Sequence, residues 1–206
     1  TGWATYTVGA AFGNRVVTAR RFKAEATLEL IATHKADMLV AVPTMLHRMV
    51  ELGPEIIAKY DTSSLKVILI AGSALSPELS NRVQDTFGDV LYNMYGSTEI
   101  AFATIARPQD LSKNPATVGP VVKGVRVKLF DDDGKEVPQG QVGRIFVGNT
   151  FPFEGYTGGG HKQIIDGLMS SGDVGYFDED GLLYVSGRDD EMIVSGGENV
   201  FPKEVE

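Results

Sequence analysis

Residues 90–99 of this chain read VLYNMYGSTE, a mainly apolar run that changes abruptly to a glycine, two hydroxyl groups and a carboxylate. Such a run without regular polar alternation is typical of a strand buried in a parallel sheet. Gly96 permits a close backbone approach, and Tyr95 offers a ring face on which a purine could stack. Thr98 has a hydroxyl that can donate to a phosphate oxygen, and Glu99 is an oxygen ligand suited to Mg²⁺ held jointly with phosphates. On these residues alone, a surface turn with an exposed acid is an equally good interpretation.

The preceding sequence alternates short apolar or β-branched runs with helical patterns. This alternation predicts an α/β fold, a parallel sheet with flanking helices, in which ligands gather outside the carboxyl ends of the strands. Gly72, Ser73 and Ala74 follow one strand and residues 96–99 follow the next, so both segments occupy that position. The predicted strands are residues 15–18, 38–42, 66–71 and 90–95, and the predicted helices are residues 24–34, 44–52 and 77–87, the last capped by Ser76.

The pattern changes near residues 108–120, which we interpret as a loop. Beyond it, short strands at residues 125–130, 143–148 and 182–185 are separated by Asp-Gly turns, which predicts antiparallel β-structure in a small barrel or sandwich. We therefore expect an α/β subdomain over residues 1–115 and a β-barrel-like subdomain over 116–189. Residues 190–206 are expected to form a hinge and the start of a further, truncated domain.

Two more segments carry candidate binding groups. Asp173 lies between glycines in the sequence SGDVG, and its carboxylate could accept both hydroxyls of a ribose, although a turn aspartate is the simpler explanation of that residue alone. Arg188 could reach ribose or phosphate oxygens through its planar guanidinium group. Ser195, Gly196 and Gly197 form a tight-turn sequence, which a hairpin would also explain.

Composition excludes several classes of function. A net charge of −8 argues against nucleic acid as a partner, because binding to a phosphate backbone requires a basic face. The chain has no cysteine, which excludes disulfides and thiolate zinc sites. No apolar run approaches the roughly 20 residues of a transmembrane segment. We expect a cytoplasmic protein, with peripheral attachment to a membrane left open.

Taken together, these segments resemble the adenylate-forming superfamily of acyl-CoA synthetases, aryl-CoA ligases, luciferases and peptide-synthetase adenylation domains. Residues 95–99 (YGSTE) match its central motif, and residues 171–173 (SGD) match its ribose-binding motif. Residues 187–206 (GRDDEMIVSGGENVFPKEVE) match its hinge motif over their whole length and look most like a fatty acyl-CoA synthetase. The resemblance covers almost the entire chain.

The resemblance implies a two-step reaction in which a carboxylate and ATP give acyl-AMP and pyrophosphate, and the thiol of CoA then displaces AMP. It implies ATP or AMP, Mg²⁺ and CoA as ligands, and a carboxylic acid, with a fatty acid favoured, as substrate. The implied catalytic residues are Thr98, which would hold the α-phosphate, and Glu99, which would hold the metal. The implied binding roles are the adenine wall and acyl entrance for Gly72, Ser73 and Ala74; the base frame for Asn93, Met94 and Tyr95; nucleotide binding for Gly96 and Ser97; and the ribose for Asp173, with Arg188 nearby. Asp190 would be the hinge, and Ser195, Gly196 and Gly197 would line the CoA route.

The resemblance also has gaps. The phosphate loop of the superfamily and the lysine that promotes adenylation do not occur in these 206 residues, so we expect a piece of a longer protein that is inactive by itself. Arg144 stands where relatives often have Glu, and Leu168-Met169 where many have a tryptophan. The alternatives are another adenylate-forming enzyme, either an aryl-CoA ligase or an aminoacyl-adenylating domain, and a non-catalytic AMP-binding fragment. No acid occurs in residues 2–13, which favours an uncharged acyl tail over an aminoacyl substrate.

Overall fold

A computed structural model describes residues 2–151, 153–157, 160, 162–189, 193–195 and 198–200, with side chains described between residues 5 and 189. The chain divides into two compact units. Unit 1 comprises residues 1–93 and 107–116, and unit 2 comprises residues 94–106 and 117–206.

Unit 1 has parallel strands covered by helices. Strands β1 (Met38–Ala41) and β2 (Val67–Ile70) pair in parallel, and β2 pairs in parallel with the first residues of β3 (Leu91–Ser97). Because the side chains of Ile68, Ile70 and Leu91 are completely buried, these strands form the centre of the unit's core. The helices are α1 (Gly2–Ala11), α2 (Ala24–His34), α3 (Pro43–Val50), α4 (Pro54–Ile57), α5 (Pro77–Phe87) and α6 (Pro108–Lys113).

The sequence-based prediction of unit 1 is correct for α2 and α5 and close for α3, β1 and β2. It is wrong at residues 15–18, which are exposed and irregular, because β-branched residues form a strand only where a neighbouring strand and a core are available. It is also wrong about residues 108–113, which form α6 within the predicted loop. Pro108 suits the first position of a helix, and the Asp110 carboxylate accepts a hydrogen bond from the Arg107 amide at 2.9 Å.

Unit 2 is built on an antiparallel sheet in which β5 (Arg126–Phe130) pairs with β6 (Gly143–Gly148) and β6 with β8 (Leu168–Phe177). Strand β8 also pairs with β7 (Ile164–Ile165) and with β9 (Leu183–Arg188). Ile145, Val147 and Leu183 are buried in its core, as are Ile100 and Ala103. The predicted change from α/β to antiparallel structure is thus confirmed. The other described strands of unit 2 are β4 (Ala101–Ala106), β10 (Ile193–Ser195) and β11 (Glu198–Val200).

Two strands differ from the sequence-based prediction in ways that affect the site. Strand β3 continues to Ser97, where a loop was expected after Tyr95. Strand β8 was not predicted, because its central sequence SSGDVG has the glycines and polar residues of a turn. Gly175 allows the pairing of β8 with β9, since a Cβ atom there would lie 2.1 Å from the Tyr184 carbonyl oxygen. Asp173 therefore lies in a strand.

Among the residues that the structure describes, no helix combines the length and the apolar character needed to cross a membrane.

The cap of α5 provides a test of the fold. Ser76 Oγ accepts a hydrogen bond from the Leu79 amide at 3.2 Å, as the sequence predicts. Ser76→Ala should lower the free energy of unfolding by about 1 kcal/mol, because it leaves this amide without its cap. Ser76→Asp should retain most of the stability, since aspartate is also a good cap. Urea denaturation of the three proteins measures the difference; equal stability of the alanine variant would show that the cap contributes nothing.

Candidate functional site

Asp173 is the central acid of the site in unit 2. The Tyr95 hydroxyl donates a 2.7 Å hydrogen bond to Asp173 Oδ2, and Arg188 NH1 donates a 3.1 Å hydrogen bond to Oδ1. Antiparallel pairing of β8 with β9 places Arg188 directly opposite Asp173. The Asp173 side chain is 17% exposed, whereas that of Arg188 is 46% exposed. The structure therefore brings together three of the predicted nucleotide-binding residues.

The Tyr95 hydroxyl remains a donor at physiological pH. Burial raises the pKa of the Tyr95 phenol well above its usual range, and the negative charge of Asp173 raises it further. The phenol is therefore protonated and the Asp173 carboxylate accepts. Each carboxylate oxygen has a second lone-pair site, so Asp173 can accept further hydrogen bonds from a sugar while it keeps Tyr95 and Arg188.

Glu99 lies in a second cluster, at the turn that follows β3. Ser97 Oγ donates to Glu99 Oε2 at 2.7 Å, and the Tyr156 hydroxyl donates to Oε1 at 2.6 Å. The Glu99 amide also donates to Ser97 Oγ at 3.3 Å. Both carboxylate oxygens are thus oriented by hydroxyl groups, one of them from a residue 57 positions along the chain.

These hydrogen bonds keep Glu99 ionised. The hydrogen bond from Tyr156 lowers the pKa of the Glu99 carboxyl most, the bond from Ser97 lowers it further, and the positive charge of Lys162 makes a smaller contribution in the same direction. Glu99 therefore carries its full charge at neutral pH. The charged state is the one that can bind a cation.

A cavity of about 300 Å³ lies beside Asp173 and is lined by Lys162, Gly172, Arg188 and Asp189. Lys162 Nζ donates to the Ser171 carbonyl oxygen at 3.4 Å. A Cβ atom on Gly172 would lie 3.2 Å from both Lys162 Nζ and Arg188 NH2, and Gly172 has a positive φ of 83°. A residue larger than glycine would therefore crowd the cationic side of the cavity and strain the backbone.

The charge and donors of the Glu99 cluster fit a magnesium ion that is shared with a ligand. Among the described residues no group of three or more His, Cys, Asp or Glu side chains could enclose a metal ion. Mg²⁺ commonly binds one or two carboxylates and completes its coordination with phosphates and water. Glu99, ionised and exposed in part, is suited to that kind of site.

The other predicted residues have different surroundings. In unit 1, Gly72, Ser73 and Ala74 lie exposed on the segment between β2 and α5, and Asn93 is buried in β3. In unit 2, Met94 is half-buried and Thr98 is exposed at the turn beside Glu99. Asp190, Gly196 and Gly197 lie outside the described residues; Ser195 ends β10, and nothing is described of its side chain. The roles assigned to all of these remain predictions.

Gly96 has an explanation within the fold. A Cβ atom at this position would lie 2.0 Å from the Ala101 carbonyl oxygen and 2.8 Å from Phe102 Cα. Glycine at position 96 therefore allows the backbone of β3 to lie close to the backbone of the neighbouring strand β4. The suggestion that Gly96 also admits a ligand remains a prediction.

Sequence reasoning missed Tyr156 and Lys162 as parts of the site and recognised Ser171 only as part of the ribose-binding motif SGD. The segment containing Tyr156 was recognised only as a glycine-rich loop without the lysine and hydroxyl of a Walker-type phosphate loop. A usable signal does exist for Lys162, the single lysine or arginine between Asn149 and Gly167. Ser171 Oγ accepts from the Asp173 amide at 3.1 Å and donates to the Ile145 carbonyl at 3.0 Å, which holds this part of β8.

The hydrogen bond from Tyr156 gives a test of the Glu99 cluster. Tyr156→Phe should raise the pKa of the Glu99 carboxyl towards its ordinary value, because the largest contribution to the lowered pKa is removed. A carboxyl with a lowered pKa stabilises the fold above its unfolded-state pKa, and this contribution disappears as the pH falls through the folded-state pKa. The variant should therefore lose stability at neutral pH and little at pH 2.

Carboxyl ¹³C chemical shifts followed through an acid titration measure the change at Glu99. Tyr184→Phe is the matched control, since the Tyr184 hydroxyl donates to Asp178 instead. A Glu99 pKa that is the same in Tyr156→Phe as in the unsubstituted protein would contradict the arrangement.

Comparison with known proteins shows which family this chain matches. The family model described as AMP-binding enzyme matches residues 1–157. An uncharacterized acyl-CoA ligase, YhfT of Bacillus subtilis, is 31% identical over 94% of this chain and 39% of its own length. Indoleacetate-CoA ligase of Aromatoleum aromaticum is 33% identical over 94% of this chain and 38% of its own length. The chain thus spans about two fifths of the length of these relatives.

Among solved structures, O-succinylbenzoate coenzyme A synthetase of Bacillus subtilis in complex with AMP has a TM-score of 0.87 and 27% identity, over 100% of this chain and 42% of that one. The combination of a sheet with flanking helices and an antiparallel, curled half-barrel sheet matches the large domain of adenylate-forming enzymes. The predicted fold class and the resemblance to the adenylate-forming superfamily are confirmed, and the chain belongs to the AMP-binding enzyme family.

Proposed function

We propose that this chain is part of an ATP-dependent acyl-CoA ligase that activates a carboxylic acid as an acyl-AMP and transfers the acyl group to CoA. The observation that carries the proposal is the pair of clusters in unit 2, one built on Asp173 with Tyr95 and Arg188, the other on Glu99 with Ser97 and Tyr156. An acid oriented for hydroxyl groups and an ionised acid suited to Mg²⁺ are the two kinds of group that a nucleoside phosphate requires.

The site residues have separate tasks in this proposal. Asp173 accepts hydrogen bonds from the two ribose hydroxyls, and Arg188 holds the Asp173 carboxylate in position and lies within reach of the sugar. Thr98 donates its exposed hydroxyl to a phosphate oxygen. Gly72, Ser73 and Ala74, with Asn93, Met94 and Tyr95, frame the base and the acyl entrance; that assignment rests on the resemblance of the sequence motifs.

The first reaction is a substitution at phosphorus. A carboxylate oxygen of the acid forms a bond to the α-phosphorus of ATP, the bond from this phosphorus to the bridging oxygen of the β-phosphate breaks, and pyrophosphate leaves with the electron pair. Glu99 would hold a Mg²⁺ ion, which when bound would neutralise part of the phosphate charge. The protein contributes orientation and preorganised charge.

In the second reaction the thiol sulfur of CoA forms a bond to the acyl carbon, the bond from this carbon to the anhydride oxygen breaks, AMP leaves with that electron pair, and the thiol proton is released to solvent. Asp190 as a hinge, and Ser195, Gly196 and Gly197 beside the CoA route, are assigned to this step from the hinge motif alone. The isolated 206 residues are proposed to be inactive, because they contain neither the phosphate loop nor the adenylation lysine of the superfamily.

The role of Glu99 can be tested in the full-length protein. Glu99→Gln should reduce carboxylate-dependent ATP–pyrophosphate exchange by about 10²-fold or more, because the neutral amide cannot replace the charge that holds Mg²⁺. Glu179→Gln, on the exposed turn between β8 and β9, is the matched control and should retain full exchange. Full exchange in Glu99→Gln would remove Glu99 from the site.

The substrate class is a narrower proposal. The wording of residues 187–206 and the absence of acids in residues 2–13 support a fatty acid. Two of the relatives, the indoleacetate-CoA ligase and the O-succinylbenzoate coenzyme A synthetase, support a second candidate, an aryl or aryl-acetic acid. A panel of fatty, aryl and amino acids, assayed for AMP release with CoA, should give the highest kcat/KM with a fatty acid. A preference for an aryl acid would establish the second candidate, and a preference for an amino acid would contradict both.

A further inference from the structure

Lys162 carries a positive charge at the cavity beside Asp173 that the proposed function does not yet use. Its ammonium group is anchored by a 3.4 Å hydrogen bond to the Ser171 carbonyl, and it lies next to Gly172 on the same side of the cavity as Arg188. Lys162 comes from the segment between β6 and β7, whereas Gly172 and Arg188 belong to β8 and β9. Three separate segments therefore meet at this point.

Lys162 forms no ion pair in the part of the chain that the structure describes. No carboxylate there lies within the 4.0 Å ion-pair distance of Lys162 Nζ. Lys128, in contrast, lies 3.0 Å from Glu136 and 3.1 Å from Asp166. A half-buried ammonium group that is hydrogen-bonded only to a carbonyl can still donate two hydrogen bonds to an anion.

Lys162 is near Asp173 through Gly172 and Arg188, and its charge also reaches Glu99. The guanidinium group of Arg188 binds Asp173, and the charge of Lys162 lowers the pKa of the Glu99 carboxyl. In a nucleoside triphosphate, the α-phosphate is joined to the ribose and lies between the sugar and the outer phosphates that share a metal. A cation beside the ribose acid, whose charge also reaches the metal acid, is therefore suited to the α-phosphate.

We propose that Lys162 binds a non-bridging oxygen of the nucleotide α-phosphate and so orients the phosphorus that the carboxylate attacks. This inference rests on the proposed function and adds a phosphate-binding residue to it. The ammonium group stabilises the negative charge on the non-bridging oxygens while the new oxygen–phosphorus bond forms and pyrophosphate leaves. Gly172 keeps the ammonium and the guanidinium groups accessible, since any side chain there would lie against both of them.

The test compares the binding of AMP with that of adenosine, which has the same base and sugar but no phosphate. Both ligands are titrated by calorimetry into the full-length protein with and without Lys162→Gln. We expect the variant to bind AMP about tenfold or more weakly and adenosine with unchanged affinity, because only the phosphate contact is lost. Lys162→Arg should restore most of the AMP affinity, since it retains the charge.

Two further variants complete the design. Lys135→Gln removes an exposed lysine from the turn between β5 and β6 and should bind both ligands normally. Asp173→Asn should weaken AMP and adenosine alike, because both ligands carry the ribose. Unchanged adenosine binding by Lys162→Gln also shows that this variant is folded.

The outcomes separate this inference from the proposed function. Equal losses of AMP and adenosine in Lys162→Gln, or no loss of either, would overturn the phosphate contact while leaving the nucleotide site intact. Failure of the unsubstituted protein to bind either ligand would overturn the nucleotide site and the Lys162 contact together. A selective loss of AMP, reversed by Lys162→Arg, would establish the contact.

Discussion

The candidate site depends on one carboxylate that accepts hydrogen bonds from two other strands. Asp173 on β8 is held by the hydroxyl of Tyr95 on β3 and by the guanidinium group of Arg188 on β9. Burial and the neighbouring negative charge keep the Tyr95 phenol protonated, so that the hydrogen bond has a fixed direction. The end of β3, which carries the residues leading to Glu99, is in this way fixed to the antiparallel sheet.

Charge balance gives the site its chemical character. Two acids, Asp173 and Glu99, and two cationic side chains, Arg188 and Lys162, belong to this part of unit 2, and Asp189 also lines the cavity. Both acids have oriented donors on each oxygen, whereas Lys162 has only a carbonyl oxygen as its described partner. The acids can accept hydrogen bonds from hydroxyl groups, and Lys162 can still donate hydrogen bonds to an anion. A ligand with both hydroxyl groups and an anionic centre would therefore complement the cavity better than a purely anionic or purely neutral one.

Several glycines in this region are required by the close packing of neighbouring strands. Gly96 and Gly175 leave room for the backbones of neighbouring strands, at Ala101 and Tyr184 respectively. Gly172 differs, because a side chain there would meet the charged ends of Lys162 and Arg188. A glycine in a binding motif can therefore be required by strand pairing instead of by ligand binding. These two reasons are distinguished only when the atoms that a Cβ atom would contact are known.

Much of the architecture follows from local sequence. The apolar runs of β1 and β2, the helical spacing of α2 and the Ser76 cap of α5 specify their elements because the relevant interactions lie within a few residues. The same reasoning fails for residues 15–18, which have strand propensity but no partner strand, and for β8, whose glycines resemble a turn and are accommodated by pairing with β9. A local sequence pattern does not show where the neighbouring strand lies in the fold.

The sequence by itself determined the family motifs, the order of the α/β and antiparallel regions, and the identity of the principal acids, Glu99 and Asp173. Only the tertiary structure decided which side chains complete the site. Tyr156 is 57 residues from the Glu99 carboxylate that it binds, and Tyr95 is 78 residues from Asp173. Such pairs form because the pairing of strands distant in sequence sets the distances between hydroxyl, carboxylate and ammonium groups, and hydrogen bonds and charges act over those distances regardless of sequence separation.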